Sequence, residues 1–273
     1  MAIKWRAFSQ ETENLARAWR DQTVTDREWN PRPDLGILSG ETNPFWVGHG
    51  DAVGLAKPGI RRQHIHRVPR AAHEKIAADL AYDLNLPVPP VVLWDRASVL
   101  PGEARFVAII AVPFPNPAEL ESVTLESESG HRSLEVMSGV ASAMSVFDTW
   151  LSNTDHRYPS ENVLVGMANG DASIVRLAYI DYAFSMSYAW RAKSYKAPDG
   201  VPIYHPEIPP DYDAMNATLI NIETITEEDI FEIIERVPPC FFTRRLLDLT
   251  WDGLLYRQAH LRELMASIYP DLA

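Results

Sequence analysis

Phe147-Asp-Thr-Trp-Leu-Ser-Asn-Thr-Asp-His-Arg-Tyr-Pro-Ser-Glu-Asn-Val-Leu-Val165 is the stretch on which the reading of this chain turns. Phe147 and Leu151 lie one helical turn apart, so the stretch opens on the apolar face of a helix. It then becomes a polar loop and closes on the apolar run Val163-Leu-Val165, which has strand character. Further on, Tyr179-Ile-Asp-Tyr-Ala183 reads as the end of a second strand. Asp155 and Asn162 thus flank one loop, while Asp181 stands at the mouth of the neighbouring strand. Three oxygen-bearing side chains of this kind form the hard donor set that suits Mg²⁺. Taken alone, an Asx-rich loop is more often a turn than a site, because Asp and Asn are common turn residues.

The rest of the chain changes those odds. A phosphoryl-transfer site also needs a glycine-containing loop over the phosphates, a lysine on a strand, and a helical glutamate that orients the lysine. Candidates occur in that order. Ser39-Gly40-Glu41-Thr42-Asn43 supplies the loop, and Gly54-Leu-Ala-Lys-Pro58 closes an apolar strand on Lys57, the only lysine between Lys4 and Lys75. Glu74 is expected in the first turn of a helix starting at Arg70, facing Lys57, although the helix macrodipole alone would also favour a glutamate there. Order, more than any single residue, is the argument.

Composition narrows the class. The 273 residues are 46% apolar and 23% charged, enough for one large domain or two lobes and unlike a disordered or disulfide-stapled chain. A formal charge of −12 excludes a broad nucleic-acid surface, so a polyanionic ligand must be held locally. Cys240 is the only cysteine, which leaves no internal disulfide and no cysteine zinc site, and points to a reducing compartment. With no secretory stretch near Met1 and no apolar run of bilayer length, a soluble cytoplasmic protein is expected. Neither a Gly-x-Ser-x-Gly elbow nor a Gly-Lys-Ser/Thr loop is present, disfavouring an α/β hydrolase and a P-loop NTPase. His64, His66 and His73 read as part of a solvated basic stretch rather than as metal ligands, because no fixed ligand spacing supports them.

Hydrophobic periodicity predicts an α+β chain with a β-rich half followed by a helical half. A helix over residues 10–20 precedes a meander of short strands between 35 and 58, then a helix over 70–84 and strands over 91–94 and 105–112. Beyond the proline-rich 113–117, helices are expected over 134–151, 227–236 and 243–268, with strands over 162–166 and 174–180. The eight tryptophans are spread along the chain and read as packing residues. The organisation expected is a helical extension over 1–34, an N-lobe over 35–113 and a C-lobe over 114–273.

Gly54-Leu-Ala-Lys-Pro58, the run from Glu74 to Leu-Pro-Val-Pro-Pro90, Phe147 to Asn-Thr-Asp155, and Ile180-Asp-Tyr182 together resemble the HipA-like kinases over residues 35–190. The resemblance implies a two-lobed protein kinase-like fold and an ATP- and Mg²⁺-dependent phosphotransferase, most simply a serine/threonine protein kinase. It implies that Lys57 contacts the ATP phosphates and pairs with Glu74, that Asp155 is the catalytic aspartate, and that Asn162 and Asp181 hold Mg²⁺. Ser39 to Asn43 would cover the phosphates, and the hinge around Ala111 and Val112 would take the adenine. The expected partners are ATP and a protein substrate, with an antitoxin-like partner by resemblance only. The chain departs from the family pattern after Asp155, where His156 precedes Arg157 and Asn162 follows seven positions on. The alternatives are a lipid or small-molecule kinase, or a pseudokinase acting as a nucleotide-binding interaction module.

Overall fold

In the computed structural model, which describes residues 6–36, 43–59, 69–96, 104–114, 118–119, 128–157, 162–168, 171–203 and 208–272, sheet and helix divide between the two halves of the chain. Helix α1 (Gln10–Asp21) comes first, its N-terminus capped by the Ser9 hydroxyl, which accepts the Thr12 N–H at 3.2 Å. Strands β1 (Val24–Thr25), β2 (Asn30–Pro31), β3 (Phe45–His49) and β4 (Ala52–Pro58) follow, then α2 (Arg70–Asp83), β5 (Val91–Asp95) and β6 (Phe106–Ala111). These strands form one sheet in the order β1-β5-β6-β4-β3-β2, antiparallel except for the β1–β5 pair. The segment expected as a helical extension therefore also places a two-residue strand at each edge of the sheet.

Alternation along the strands gives the sheet two buried faces. Val47, Ala56, Val92, Trp94, Val107 and Ile109 point to one side and pack with Trp19 of α1 and with Trp29. The two indoles meet edge to face with centroids 6.0 Å apart. Leu55, Val91, Leu93, Ala108 and Ile110 point to the other side, into the main core against α2. Period two puts Lys57 on this second face with Leu55.

Helix α2 departs from the one-sided amphipathic helix its sequence suggests: every residue from Arg70 to Ala81 is buried. Repeated alanines allow close approach of neighbours on several sides, so the helix is enclosed rather than laid on a surface. It ends in a Schellman turn. Asn85 takes the left-handed conformation (φ 57°), the Leu86 N–H reaches the Ala81 carbonyl at 2.8 Å, and the Asn85 N–H reaches that of Tyr82 at 3.0 Å. Pro87, Pro89 and Pro90 then prevent the helix from resuming.

The second half contains β7 (Ala118–Glu119), α3 (Glu128–Leu151), β8 (Val163–Ala168) and β9 (Asp171–Tyr179). The three strands form a small antiparallel sheet in the order β7-β8-β9. Helices α4 (Ser187–Ala192), α5 (Tyr212–Thr224), α6 (Glu227–Glu235), α7 (Arg244–Ala259) and α8 (Leu261–Ala266) complete the half. Helix α5 has no counterpart in the sequence expectation, and the single helix expected over 243–268 is broken at His260 into α7 and α8. Buried Arg257 binds the 195–199 loop to the end of α3, donating to the carbonyls of Thr149, Tyr195 and Asp199.

Candidate active site

Lys57 is the meeting point of the two halves. Its Nζ lies 3.1 Å from Glu74 Oε1 and 2.7 Å from Asp181 Oδ2. The other Glu74 oxygen accepts the Tyr182 backbone N–H at 3.0 Å, so one carboxylate ties the lysine strand to the residue after Asp181. Burial disfavours the Lys57 ammonium, but the two carboxylates outweigh it and raise its pKa above the ordinary value. Burial also pushes Asp181 up, yet Lys57 and the Ala183 N–H prevail and hold it below the usual carboxylate range. Glu74 moves the other way, raised by burial against the pull of Lys57. The junction thus holds a charged lysine against an ionised Asp181, whose side chain is 23% exposed toward any arriving ligand. Asp181 adopts φ 74°, an uncommon conformation for a non-glycine residue of the kind that clusters at functional sites.

The turn before Asp155 is built by the end of α3. Ser152 takes φ 56° while the Ser152 and Asn153 N–H groups reach the carbonyls of Thr149 and Asp148, a second Schellman arrangement. It aims Asn153 inward, where its Oδ1 accepts the Asp155 N–H at 3.3 Å and its Nδ2 donates to the Asp181 carbonyl at 3.4 Å. Asp155 opens a short 3-10 turn, Asp155–Arg157. Burial, reinforced by the Asp181 charge, raises the Asp155 carboxyl above its ordinary pKa.

His156 fastens this loop on both sides. Its Nε2 lies 2.7 Å from the Ile180 carbonyl and its Nδ1 2.8 Å from Asp148 Oδ2, with Tyr179 and Tyr182 edge-on around the ring. Both nitrogens face acceptors, which favours the imidazolium. Burial opposes the charge, but Asp148 outweighs it and raises the His156 pKa. Asp148 is itself raised by burial against the pull of His156. On the other side of the loop, the Asn162 carbonyl accepts the Ile180 N–H at 2.9 Å, which sets Asn162 beside the residue preceding Asp181.

The structure therefore brings together Lys57, Glu74 and Asp181, and ties Asp155 and Asn162 to the same strand end. Glu74 sits in the second turn of α2, not the first as expected, so its place follows from Lys57 and Tyr182 rather than from the macrodipole. Asn43 has φ 50°, a loop conformation, whereas Ser39, Gly40, Glu41 and Thr42 lie outside the described residues. At the expected hinge, the Ala111 N–H already bonds the Pro90 carbonyl, and the Val112 carbonyl accepts the Thr12 hydroxyl at 2.7 Å. Phe114 lies against Gly166 of β8, where a Cβ would meet its ring at 2.3 Å. A cavity of about 660 Å³ lies behind this hinge, between α1 and the start of β4.

Asn153, Asp148 and the bonded role of His156 were missed in the sequence; the signal available was an Asp on the apolar last turns of a helix, eight residues before a histidine in the loop that follows. His73 is buried between the Ala183 carbonyl and the Ser187 hydroxyl, while His64 and His66 lie outside the described residues. Among the described residues no group of three His, Cys, Asp or Glu side chains is arranged to hold a metal. The Asp155, Asn162 and Asp181 set is of another kind, two carboxylates and an amide, and its hard oxygens fit Mg²⁺.

Comparison with known proteins adds to this geometry. No protein-family model matches the chain, and no curated protein matches it. Among solved structures, the Helicobacter pylori proinflammatory kinase CtkA is similar with a TM-score of 0.61, over 90% of this chain and 99% of that one, at 15% identity. The fold is kinase-like. At that identity the likeness speaks to the fold. Among the described residues no helix is long and apolar enough to cross a membrane.

Proposed function

We propose that the chain is an ATP- and Mg²⁺-dependent phosphotransferase of the HipA-like kind, acting on serine or threonine hydroxyls of a protein substrate. The observation that carries this reading is the Lys57 junction, in which a strand lysine, a helix glutamate and a strand-end aspartate meet within 3.1 Å. In this reading Glu74 holds Lys57 in place to neutralise phosphate oxygens, and Asp155 orients the acceptor hydroxyl and takes its proton. A carboxyl raised above its ordinary pKa is a better base for that task. Asn162 and Asp181 would hold the metal, which when bound supplies positive charge to the phosphate oxygens.

The test is transfer of labelled γ-phosphate from Mg²⁺-ATP to mixed protein acceptors, with phosphoamino-acid analysis of the product. Wild type should label serine or threonine, and Asp155→Asn should lose a factor of about 10²–10⁴ in rate with an unchanged melting temperature. Label appearing on lipid or a small molecule would redirect the acceptor assignment. Binding of Mg²⁺-ATP without turnover would leave a nucleotide-binding interaction module instead.

A further inference from the structure

Glu74 and Lys75 are adjacent on α2 and both are buried, yet they meet different neighbours. Glu74 faces Lys57. Lys75 donates to the Trp19 carbonyl of α1 at 2.5 Å and to Asp79 Oδ1 at 2.8 Å. The Trp19 carbonyl belongs to the last turn of α1, where carbonyls lack intrahelical partners and the helix dipole is negative, so a buried ammonium suits it on both counts. Arg236 donates to the neighbouring Arg20 carbonyl at 3.2 Å, and Arg20 itself grips Asp83 at the end of α2 with two hydrogen bonds of 3.0 and 2.8 Å.

The opposite end of α1 is fastened to the hinge. The Thr12 hydroxyl donates to the Val112 carbonyl at 2.7 Å, the Ser9 N–H donates to the Pro113 carbonyl at 3.1 Å, and the rings of Phe8 and Phe114 meet at 6.2 Å. Helix α1 thus bridges the chain between the two halves and the helix that carries Glu74. A displacement of α2 away from the sheet, which would take Glu74 from Lys57, would also have to break Lys75 from Trp19 and Arg20 from Asp83.

We propose that α1 is a built-in clamp that holds α2 in the orientation presenting Glu74 to Lys57, and that Lys75 is the positioning residue through which it acts. The proposal rests on the phosphotransferase reading for its kinetic consequence, and on the α1–α2 contacts alone for its structural one. Lys75 touches no substrate. Its effect is on the alignment of Lys57, and so on the transfer step more than on nucleotide affinity.

The test compares wild type, Lys75→Met, Lys75→Arg and Thr12→Val for kcat and KM with Mg²⁺-ATP, and for amide hydrogen exchange in residues 70–83. The expected result is a kcat at least tenfold lower in Lys75→Met with KM changed less than threefold, faster exchange in α2, and recovery in Lys75→Arg, which keeps a cation for the Trp19 carbonyl. Wild-type kcat in folded Lys75→Met, or equal impairment in Lys75→Arg, would overturn the proposal. Should Lys75→Met fail to melt cooperatively, Thr12→Val decides: a lower kcat with faster α2 exchange supports the clamp, and unchanged values overturn it. A wild type without any transfer from Mg²⁺-ATP refutes the phosphotransferase reading and not the clamp, which then stands or falls on α2 exchange.

Discussion

Lys57 and Asp181 meet at 2.7 Å, although 124 positions of chain separate them. One end of this ion pair is a group suited to phosphate oxygens and the other a group suited to a divalent cation. Both are held charged, because Glu74 and Asp181 together offset the burial of Lys57 and Lys57 offsets that of Asp181.

Asp181→Ala should therefore abolish the Mg²⁺-dependent part of nucleotide binding while Lys57 keeps Glu74 as partner. In wild type, ATP at about 100 times its dissociation constant should add roughly 2.7 kcal/mol of stability. Thermal melting with and without Mg²⁺-ATP reads this directly. An equal shift in both proteins would show that Asp181 takes no part in holding the metal nucleotide.

The His156–Asp148 pair gives a second expectation. Removing one member of a buried, hydrogen-bonded ion pair strands the other, at a typical loss of about 3–5 kcal/mol. His156→Ala should lower stability to urea by that order and loosen the loop that carries Asp155. A loss below about 1 kcal/mol, the range of an exposed pair, would mean that Asp148 finds another partner or takes up a proton at little cost.

Asp79 predicts a pH dependence. Burial raises its pKa from 3.8 to about 6 despite Lys75, with Arg20 also lowering it and Asp83 raising it. A folded-state pKa above the unfolded one means that the native protein binds more protons in that window, so stability falls as pH rises from about 4 to 6. The size is up to about 3 kcal/mol, from a shift of about two units at 1.36 kcal/mol each. Asp79→Asn should flatten this slope in urea titrations run across the window. An unaltered slope would assign the titration to another group.

Much of the architecture was legible in the chain itself. The glycine-punctuated strands between 35 and 58, the continuous apolar run of β6, the helix α2, and the polar loop between α3 and β8 follow from local patterning, because burial and turn chemistry both leave marks on neighbouring residues. The choice of Lys57, Glu74, Asp155 and Asp181 as a set came from their order along the chain, no one of them being decisive alone. What local pattern does not carry is which side of an enclosed helix faces which neighbour. Helix α2 is buried all round, so the apolar spacing of its sequence, which suggests one buried face, does not tell the Glu74 side from the Lys75 side.

The sequence by itself determined the succession of a β-rich half and a helical half and the candidates for phosphate and metal chemistry. Only the tertiary structure decided that Glu74 answers Lys57 and the Tyr182 backbone, that His156 is fixed between Asp148 and Ile180, and that α1 spans hinge and α2. The reason is physical. Most of these contacts join groups far apart in the chain, and buried polar groups take whichever partner the packing brings within hydrogen-bond reach, a choice made by three-dimensional geometry.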